Sequence, residues 1–142
     1  MSDQPRHSVS VAGVVVDDAG RALLIRRHDN GQWEPPGGIL ELDEDIEHGL
    51  RREVREETGL AVEPVALTGV YKNISRGIVA LVFRCRATGG QLASSDETAD
   101  LRWLAAKDVA SLADQAYAVR ITDALQCATP PAIRTHDGVR LV

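Results

Sequence analysis

Hydrophobic and polar positions alternate over several short segments of the chain, which predicts strands buried on one or both faces. The valine-rich segment 9–16 and the segment 22–26 are the first two, and the turn-forming residues 17–20 (DDAG) between them predict a β-hairpin. The segment 77–86 (GIVALVFRCR) is the strongest strand candidate, and the glycine pair 89–90 is expected to turn the chain back after it. Further strands are predicted over 62–71 and 101–104.

A longer period, of three to four residues, predicts two helices. The first begins near Asp43 or Asp45, either of which could cap it, and ends at Gly59. The second covers 114–127 with a weak cap, and the tail after it either forms a last hairpin around 137–138 or stays loose. Strands and helices in this order predict a mixed α/β domain.

Three glutamates of the first helix fall on the face that should be apolar. On a helical wheel Glu53, Glu56 and Glu57 share an arc with apolar residues, whereas Glu47 points away from it. Composition alone would favour a solvated charged helix, but a carboxylate that faces a protein interior is costly unless it is paired or binds a metal. Carboxylate oxygens suit Mg²⁺, which usually shares its coordination with substrate phosphates. The face therefore predicts metal-assisted attack on a phosphate or pyrophosphate.

Length and charge exclude several classes of protein. The chain has 142 residues, enough for one domain with its own core, and its net charge of −5 disfavours a broad grip on a nucleic-acid backbone. Cys85 and Cys127 lie in apolar surroundings without a CxxC motif, which is typical of reduced core thiols. The polar start has no signal-peptide pattern, and no apolar run reaches membrane length. We expect a soluble cytoplasmic domain without a membrane partner.

The acidic helix and the glycines before it resemble the Nudix box. The match covers 23 contiguous residues: Gly38, five residues, Glu44, seven residues and then the segment 52–60 (REVREETGL). The segment 33–38 (WEPPGG) is similar to the segment that precedes the box in the family. Asp43 stands where the family commonly has glycine, a departure that touches no ligand position. The resemblance implies an α/β/α sandwich with a mixed central sheet and the box helix packed on it. It implies a single Nudix domain over 1–142, with the tail from about 128 not covered.

The resemblance also implies an activity and its metal ligands. Members of the family use Mg²⁺, or Mn²⁺ in its place, to hydrolyse a nucleoside diphosphate linked to another moiety, with water attacking phosphorus. Carried over by position, Glu53, Glu56 and Glu57 would be the metal ligands, with the carbonyl of Gly38 as a further candidate. Two or three ions could share these acids.

Other catalytic roles follow from the same match. Arg52 would orient the acids, and Glu44 would have a structural role through contact with that arginine. The general base varies within the family, being either a box glutamate or one on a later loop. Glu57 and Glu97 are the candidates for the base, and Glu56 is a further candidate catalytic residue of the box. Glu97 is included because it is spaced before Trp103 like the loop glutamate of MutT-like members.

Candidate substrate contacts are Arg27, Trp33, Tyr71 and Phe83. Arg27 either points inward toward phosphate or base, as the MutT-like match favours, or is a solvated charge at a strand end. The three aromatic residues could flank a base, but each also fits the core.

The substrate itself is left open. The proline that marks many ADP-ribose hydrolases falls here at Ser75, and Tyr71 comes too early for the tyrosine of many dinucleoside polyphosphate hydrolases. By elimination a nucleoside triphosphate, oxidised or otherwise noncanonical, ranks above ADP-ribose or another nucleotide sugar. The alternative is a nucleotide-binding or sensing module without turnover, although such proteins usually lose box glutamates. The apolar segment 78–83 and the proline-rich tail are candidate surfaces for a homodimer.

Overall fold

The computed structural model describes residues 4–127 and 129–142, and this part of the chain contains eight strands and three helices. In chain order they are β1 (Ser8–Val15), β2 (Ala22–Arg27), β3 (Trp33–Glu34), β4 (Gly37–Ile39), α1 (Ile46–Thr58), β5 (Leu60–Asn73), β6 (Ile78–Gly90), β7 (Thr98–Leu104), α2 (Ala106–Leu112), α3 (Gln115–Gln126) and β8 (Ala132–His136). None of the helices in the described ranges has the length and hydropathy needed to span a membrane.

The strands form two sheets. The larger has the order β4-β1-β6-β5-β8 and the smaller has the order β3-β2-β7. In the larger sheet β1 runs parallel to β6 and β5 runs parallel to β8, whereas the other pairs are antiparallel. The prediction of a mixed central sheet is therefore confirmed.

Each face of this β-structure carries helices, which completes the sandwich. Successive residues of β1 point to opposite faces, so that Val11 and Val15 pack with α1 while Ala12 and Val14 pack with α2 and α3. On the α1 side the buried cluster includes Leu23, Leu50, Val54, Leu60, Val62 and Cys85, and on the other side Leu24, Val82, Val109 and Ile121. The predicted α/β/α arrangement, with the acidic helix packed on the β-structure, is confirmed. Both cysteines are free, and Cys85 is buried.

Two details of the predicted topology are wrong. β1 and β2 do not form a hairpin, because β4 and β6 occupy the two edges of β1, and the turn at 17–20 passes the chain into the other sheet. Only a single bridge between Val16 and Ala22 joins the two segments. Gly89 and Gly90 do not turn the chain back either. They pair with Ala61 and Leu60, because β5 starts immediately after α1 and its ladder with β6 continues to that point.

The ends of α1 explain this early start of β5. Asp45 is the cap residue, and its Oδ1 accepts a hydrogen bond of 2.8 Å from the His48 amide. At the other end Gly59 adopts φ +80°, a conformation that favours glycine, and its amide donates to the Arg55 carbonyl. By contrast, the side chain of Asp114 at the start of α3 makes no capping hydrogen bond with the described residues. The tail turns at 137–140 and bridges His136 to Leu141, so the hairpin alternative is the one adopted.

Candidate active site

The three box glutamates differ in exposure according to their place on the helix. Glu57 is 4% exposed as a residue, whereas the side chains of Glu53 and Glu56 are 12% and 60% exposed. The helical wheel explains the order, because Glu57 lies near the middle of the apolar arc and Glu56 lies at its edge. The prediction that all three share the buried arc therefore holds for Glu57 and Glu53 and is wrong for Glu56. Glu47 is exposed and pairs with Arg51 at 3.8 Å.

Glu57 is held where a negative charge is poorly tolerated. Its Oε1 accepts a hydrogen bond of 2.7 Å from the Gly37 amide. Burial raises the pKa of Glu57 to about 8; the Gly37 amide opposes this shift, and the carboxylates of Glu53, Glu34 and Glu97 add to it. A nearby cation would remove this penalty.

Arg52 connects the loop before α1 to the glutamates of that helix. Its Nε and Nη2 donate to the two carboxylate oxygens of Glu44 at 2.9 and 2.5 Å, in a bidentate pair. Its Nη1 donates to Glu53 at 2.9 Å and to Glu56 at 3.4 Å. Hydrogen bonds from Arg52 and from the Glu41 amide lower the pKa of Glu44 to about 2. Arg52 thus touches two of the predicted metal ligands, and the predicted contact between Glu44 and Arg52 is present.

The glycine pair allows β4 to pass very close to α1 and β1. A β-carbon on Gly38 would overlap the carboxylate of Glu53, and one on Gly37 would overlap the Val11 carbonyl and Ala12. The backbone at Gly38 therefore lies directly against a predicted metal ligand. No other residue type fits at either position without displacing its neighbours.

The carboxylate and carbonyl oxygens of this face suit a hard divalent cation, although they do not point to a common position. Within the described ranges, no three carboxylate, histidine or cysteine groups form a ready-made metal cluster. The contacts account for this: Glu53 is turned toward Arg52, and Glu57 toward the Gly37 amide. A nearby positive charge would nevertheless stabilise the buried carboxylate of Glu57, because the carboxylates of Glu53, Glu34 and Glu97 add negative charge around it. Glu53 and Glu57, with the Gly38 carbonyl and the exposed Glu56, are the residues that would hold the ion.

A cavity of about 340 Å³ lies beside Glu57, and we call it the Glu57 cavity. It is lined by Arg27, His28, Asp29, Glu57, Asp96 and Glu97. The His28 amide donates to the Glu97 carbonyl at 3.0 Å and so joins the two loops that form the wall. The fold thus brings Glu57 and Glu97, the two candidate bases, into one cavity although they are forty residues apart in the chain.

A second cavity, of about 270 Å³, lies on the other side of Arg27, between β1, β4 and α3. Its polar lining includes Arg27, Glu34, Asn73, Arg76, Tyr117 and Arg120. Apart from Arg27, the sequence interpretation missed these residues. One signal was available: Arg120 falls on the buried arc of α3, which is the same anomaly that identified the acidic face of α1.

Of the four candidate substrate contacts, the structure places only Arg27 in a cavity wall. Arg27 lines both cavities and forms ion pairs with Asp29 at 2.6 Å and with Glu34 at 3.3 Å. Among the described residues, the three aromatic ones line neither cavity. Trp33 is buried, and the guanidinium of Arg102 lies 5.1 Å from its ring centroid. Tyr71 is fully buried, and Phe83 packs beside the α1-side cluster. Their contact with substrate remains a prediction that requires a change of conformation.

Comparisons with known proteins agree with the fold and with the acidic helix sequence. The model of the NUDIX domain matches residues 6–125. A MutT-like protein of Streptomyces ambofaciens is 56% identical over 138 residues, covering 97% of this chain and 89% of that protein. An ADP-ribose pyrophosphatase of Methanocaldococcus jannaschii is 32% identical over 113 residues, covering 75% of this chain and 66% of that protein. A crystal structure of a NUDIX hydrolase from Nitrosomonas europaea superposes with a TM-score of 0.79 at 20% identity, covering 94% of this chain and 81% of that one.

Proposed function

The chain belongs to the Nudix family of pyrophosphohydrolases, and on that premise we propose that it cleaves the pyrophosphate bond of a nucleoside diphosphate linked to another moiety, in a reaction that depends on Mg²⁺. The observation that carries the proposal is the buried carboxyl of Glu57, which shares a cavity with Glu97 and lies near Glu53. Such a group is costly in a protein that binds no cation, and it is useful in one that does.

The residues divide into four roles. Glu53, Glu56, Glu57 and the Gly38 carbonyl would hold the ion, which when bound supplies the positive charge that polarises phosphoryl oxygens and acidifies water. Arg52 fixes the Glu53 carboxylate through its hydrogen bond of 2.9 Å.

Glu57 or Glu97 accepts the proton of the attacking water, since both line the Glu57 cavity. Arg27, in the wall between the cavities, is placed to contact a phosphate.

For the substrate we propose a nucleoside triphosphate, including oxidised forms, ahead of ADP-ribose or another nucleotide sugar. The absence of the ADP-ribose marker proline at Ser75 supports this order. The relative named as an ADP-ribose pyrophosphatase supports keeping ADP-ribose as the second class.

A hydrolysis panel tests the proposal. Purified protein would be incubated with Mg²⁺ and, separately, with each nucleoside triphosphate, 8-oxo-dGTP, ADP-ribose and UDP-glucose. Chromatography would identify the products, and samples with excess EDTA would be the control. We expect release of a nucleoside monophosphate from at least one compound, and none with EDTA. Binding without any cleavage across the panel would contradict the proposal and favour the sensing module.

A further inference from the structure

Arg120 of α3 places a buried cation in the wall of the second cavity. The residue is 8% exposed, and its Nη2 lies 3.1 Å from Nε2 of His136. Its Nε is buried without a hydrogen-bond partner among residues 4–127 and 129–142. Arginine stays protonated in proteins, and buried donors are nearly always satisfied. Nη1 of the same guanidinium makes no hydrogen bond with the described residues either and, unlike Nε, is not fully enclosed, so it is the donor that an acceptor of a ligand in the cavity can reach.

Two aromatic rings hold the guanidinium of Arg120 in place. Its central carbon lies 4.7 Å from the ring centroid of Tyr117 and 5.2 Å from that of Tyr71. The Tyr71 hydroxyl is itself anchored, because it donates to Asp123 at 2.6 Å. Arg120 is therefore a donor of fixed position and not a mobile surface charge.

Glu34, at the end of β3, provides a complementary acceptor in the same cavity. Its side chain is 15% exposed, and its Oε1 accepts from Arg27 at 3.3 Å. Its Oε2 forms no hydrogen bond with any residue that the structure describes. Burial raises the pKa of Glu34, whereas the charges of Arg27 and Arg120 favour its ionised form. An ionised carboxylate accepts hydrogen bonds and donates none.

We propose that the second cavity binds a guanine base, with Glu34 accepting from the N1–H and 2-amino groups and Arg120 donating to O6. Guanine is the nucleobase that presents two adjacent donors beside an acceptor, and arginine is the commonest partner of its O6. Adenine presents a lone pair at N1, which the carboxylate would repel. Uracil presents one donor between two carbonyl groups. An 8-oxoguanine base keeps all three of the groups used.

The position of the second cavity connects this base site to the proposed chemistry. Arg27 lines both cavities, and Gly37 lines the second cavity while its amide binds Glu57. A nucleotide with its base near Arg120 can therefore pass its phosphates along Arg27 toward the acidic face. The volume of about 270 Å³ is near the lower end of ligand pockets, as expected for a single base. The assignment rests on the proposed function, whose substrates are nucleotides.

Equilibrium binding of nucleoside monophosphates tests the base site without any hydrolysis. Calorimetry in EDTA would compare GMP, 8-oxo-GMP, AMP and UMP at up to millimolar concentrations. We expect GMP to bind about tenfold or more tightly than AMP and UMP, because a bidentate contact discriminates to that extent. Equal affinities for GMP and AMP, or no GMP binding at millimolar concentrations, would overturn the assignment.

Two variants assign the preference to its residues. Glu34→Gln keeps the shape of the side chain but offers an amide, so the ratio of GMP to AMP affinity should fall to within about threefold of unity. Arg120→Met should weaken GMP binding to a similar extent, because it keeps an unbranched side chain in the cavity wall and removes the donor to O6. Glu63→Gln is the matched control, because Glu63 is half-exposed and pairs with Arg86 on β6.

The outcomes separate this assignment from the proposed function. An unchanged GMP preference in Glu34→Gln would overturn the base assignment even if the enzyme cleaves nucleotides. A GMP preference that Glu34→Gln removes would support it even if no compound of the hydrolysis panel is cleaved. Should Arg120→Met fail to fold, the Glu34→Gln result alone decides.

Discussion

Glu57 combines three properties that are rarely found together in a structural glutamate. It is buried, its Oε1 accepts from a backbone amide, and it shares a cavity with a second carboxylate, Glu97. Glu57→Gln retains an acceptor for the Gly37 amide and removes only the charge. We expect kcat for hydrolysis to fall by about 10³-fold, a typical effect of losing a general base, while Tm without metal is not lowered.

Steady-state kinetics and circular dichroism of Glu57→Gln would check both parts of this expectation. Glu47→Gln is the matched control, because Glu47 belongs to the same helix but is exposed and pairs only with Arg51. A Glu57→Gln enzyme with kcat within a few-fold of wild type would exclude the catalytic role.

Asp123 provides a test of the fold by pH. Burial alone would raise its pKa, but hydrogen bonds from Arg134 and Tyr71 outweigh burial and hold the pKa of Asp123 below 3.8. The lowered pKa means that the carboxylate contributes stability above pH 3.8 and loses it as pH falls through the folded-state pKa. Asp123→Asn should lower the free energy of unfolding by about 2 kcal/mol at neutral pH.

Urea denaturation from neutral pH to about pH 3 would measure this difference, which should shrink as the wild-type carboxylate becomes protonated. The exposed Asp18→Asn variant is the control for the substitution itself. A constant difference between wild type and Asp123→Asn across the range would contradict the assignment.

Whether the sequence identifies a site residue depends on how far apart in the chain the residues of that site lie. The acidic face of α1 is a local pattern, so a helical wheel places Glu53 and Glu57 correctly. Glu34 and Arg120 lie eighty-six residues apart in the chain, and only the packing of α3 over β1 and β3 brings them to one cavity. Wheel geometry also overestimates burial at the edge of an arc, which is why Glu56 is exposed.

At the scale of elements, the cap of α1 is the simplest contribution to measure. The Asp45 side chain accepts from the His48 amide at 2.8 Å. Asp45→Ala should lower the free energy of unfolding by about 1 kcal/mol, or Tm by about 3 °C, because one terminal amide loses its acceptor. Thermal denaturation would check the change against Asp43→Ala, whose side chain makes no hydrogen bond with the described residues. Equal effects of the two variants would contradict the assignment of the cap.

Element boundaries follow from local chemistry, whereas strand pairing does not. Asp45 starts α1 with a side-chain hydrogen bond, and Gly59 ends it in a left-handed conformation. The sequence indicates Gly59 and narrows the start to Asp43 or Asp45. A hairpin between β1 and β2 would be the pairing of the nearest strands in the chain. Instead, β1 pairs with β6, about seventy residues away. Such pairing depends on which surfaces the helices cover, and the alternation of a single strand carries no information about that.

At the scale of the whole molecule, the acidic site should couple metal binding to stability. α1 packs against the β-structure, so in cooperative unfolding an ion held by Glu53 and Glu57 is released only when the entire fold opens. Free Mg²⁺ at a hundred times its Kd should then add about 2.7 kcal/mol to the free energy of unfolding. For a chain of this length that corresponds to a rise in Tm of roughly 5–10 °C.

Differential scanning calorimetry with and without Mg²⁺, at constant ionic strength, would measure the rise. Glu53→Gln and Glu57→Gln should lose most of it, because each removes a charged ligand, whereas Glu63→Gln on the surface of β5 should retain it. Without metal, Glu57→Gln should be at least as stable as wild type, because burial penalises the charge that it removes. If Mg²⁺ left the Tm of the wild-type protein unchanged, the acidic face would not be a metal site, and the cost of burying Glu57 would need another explanation.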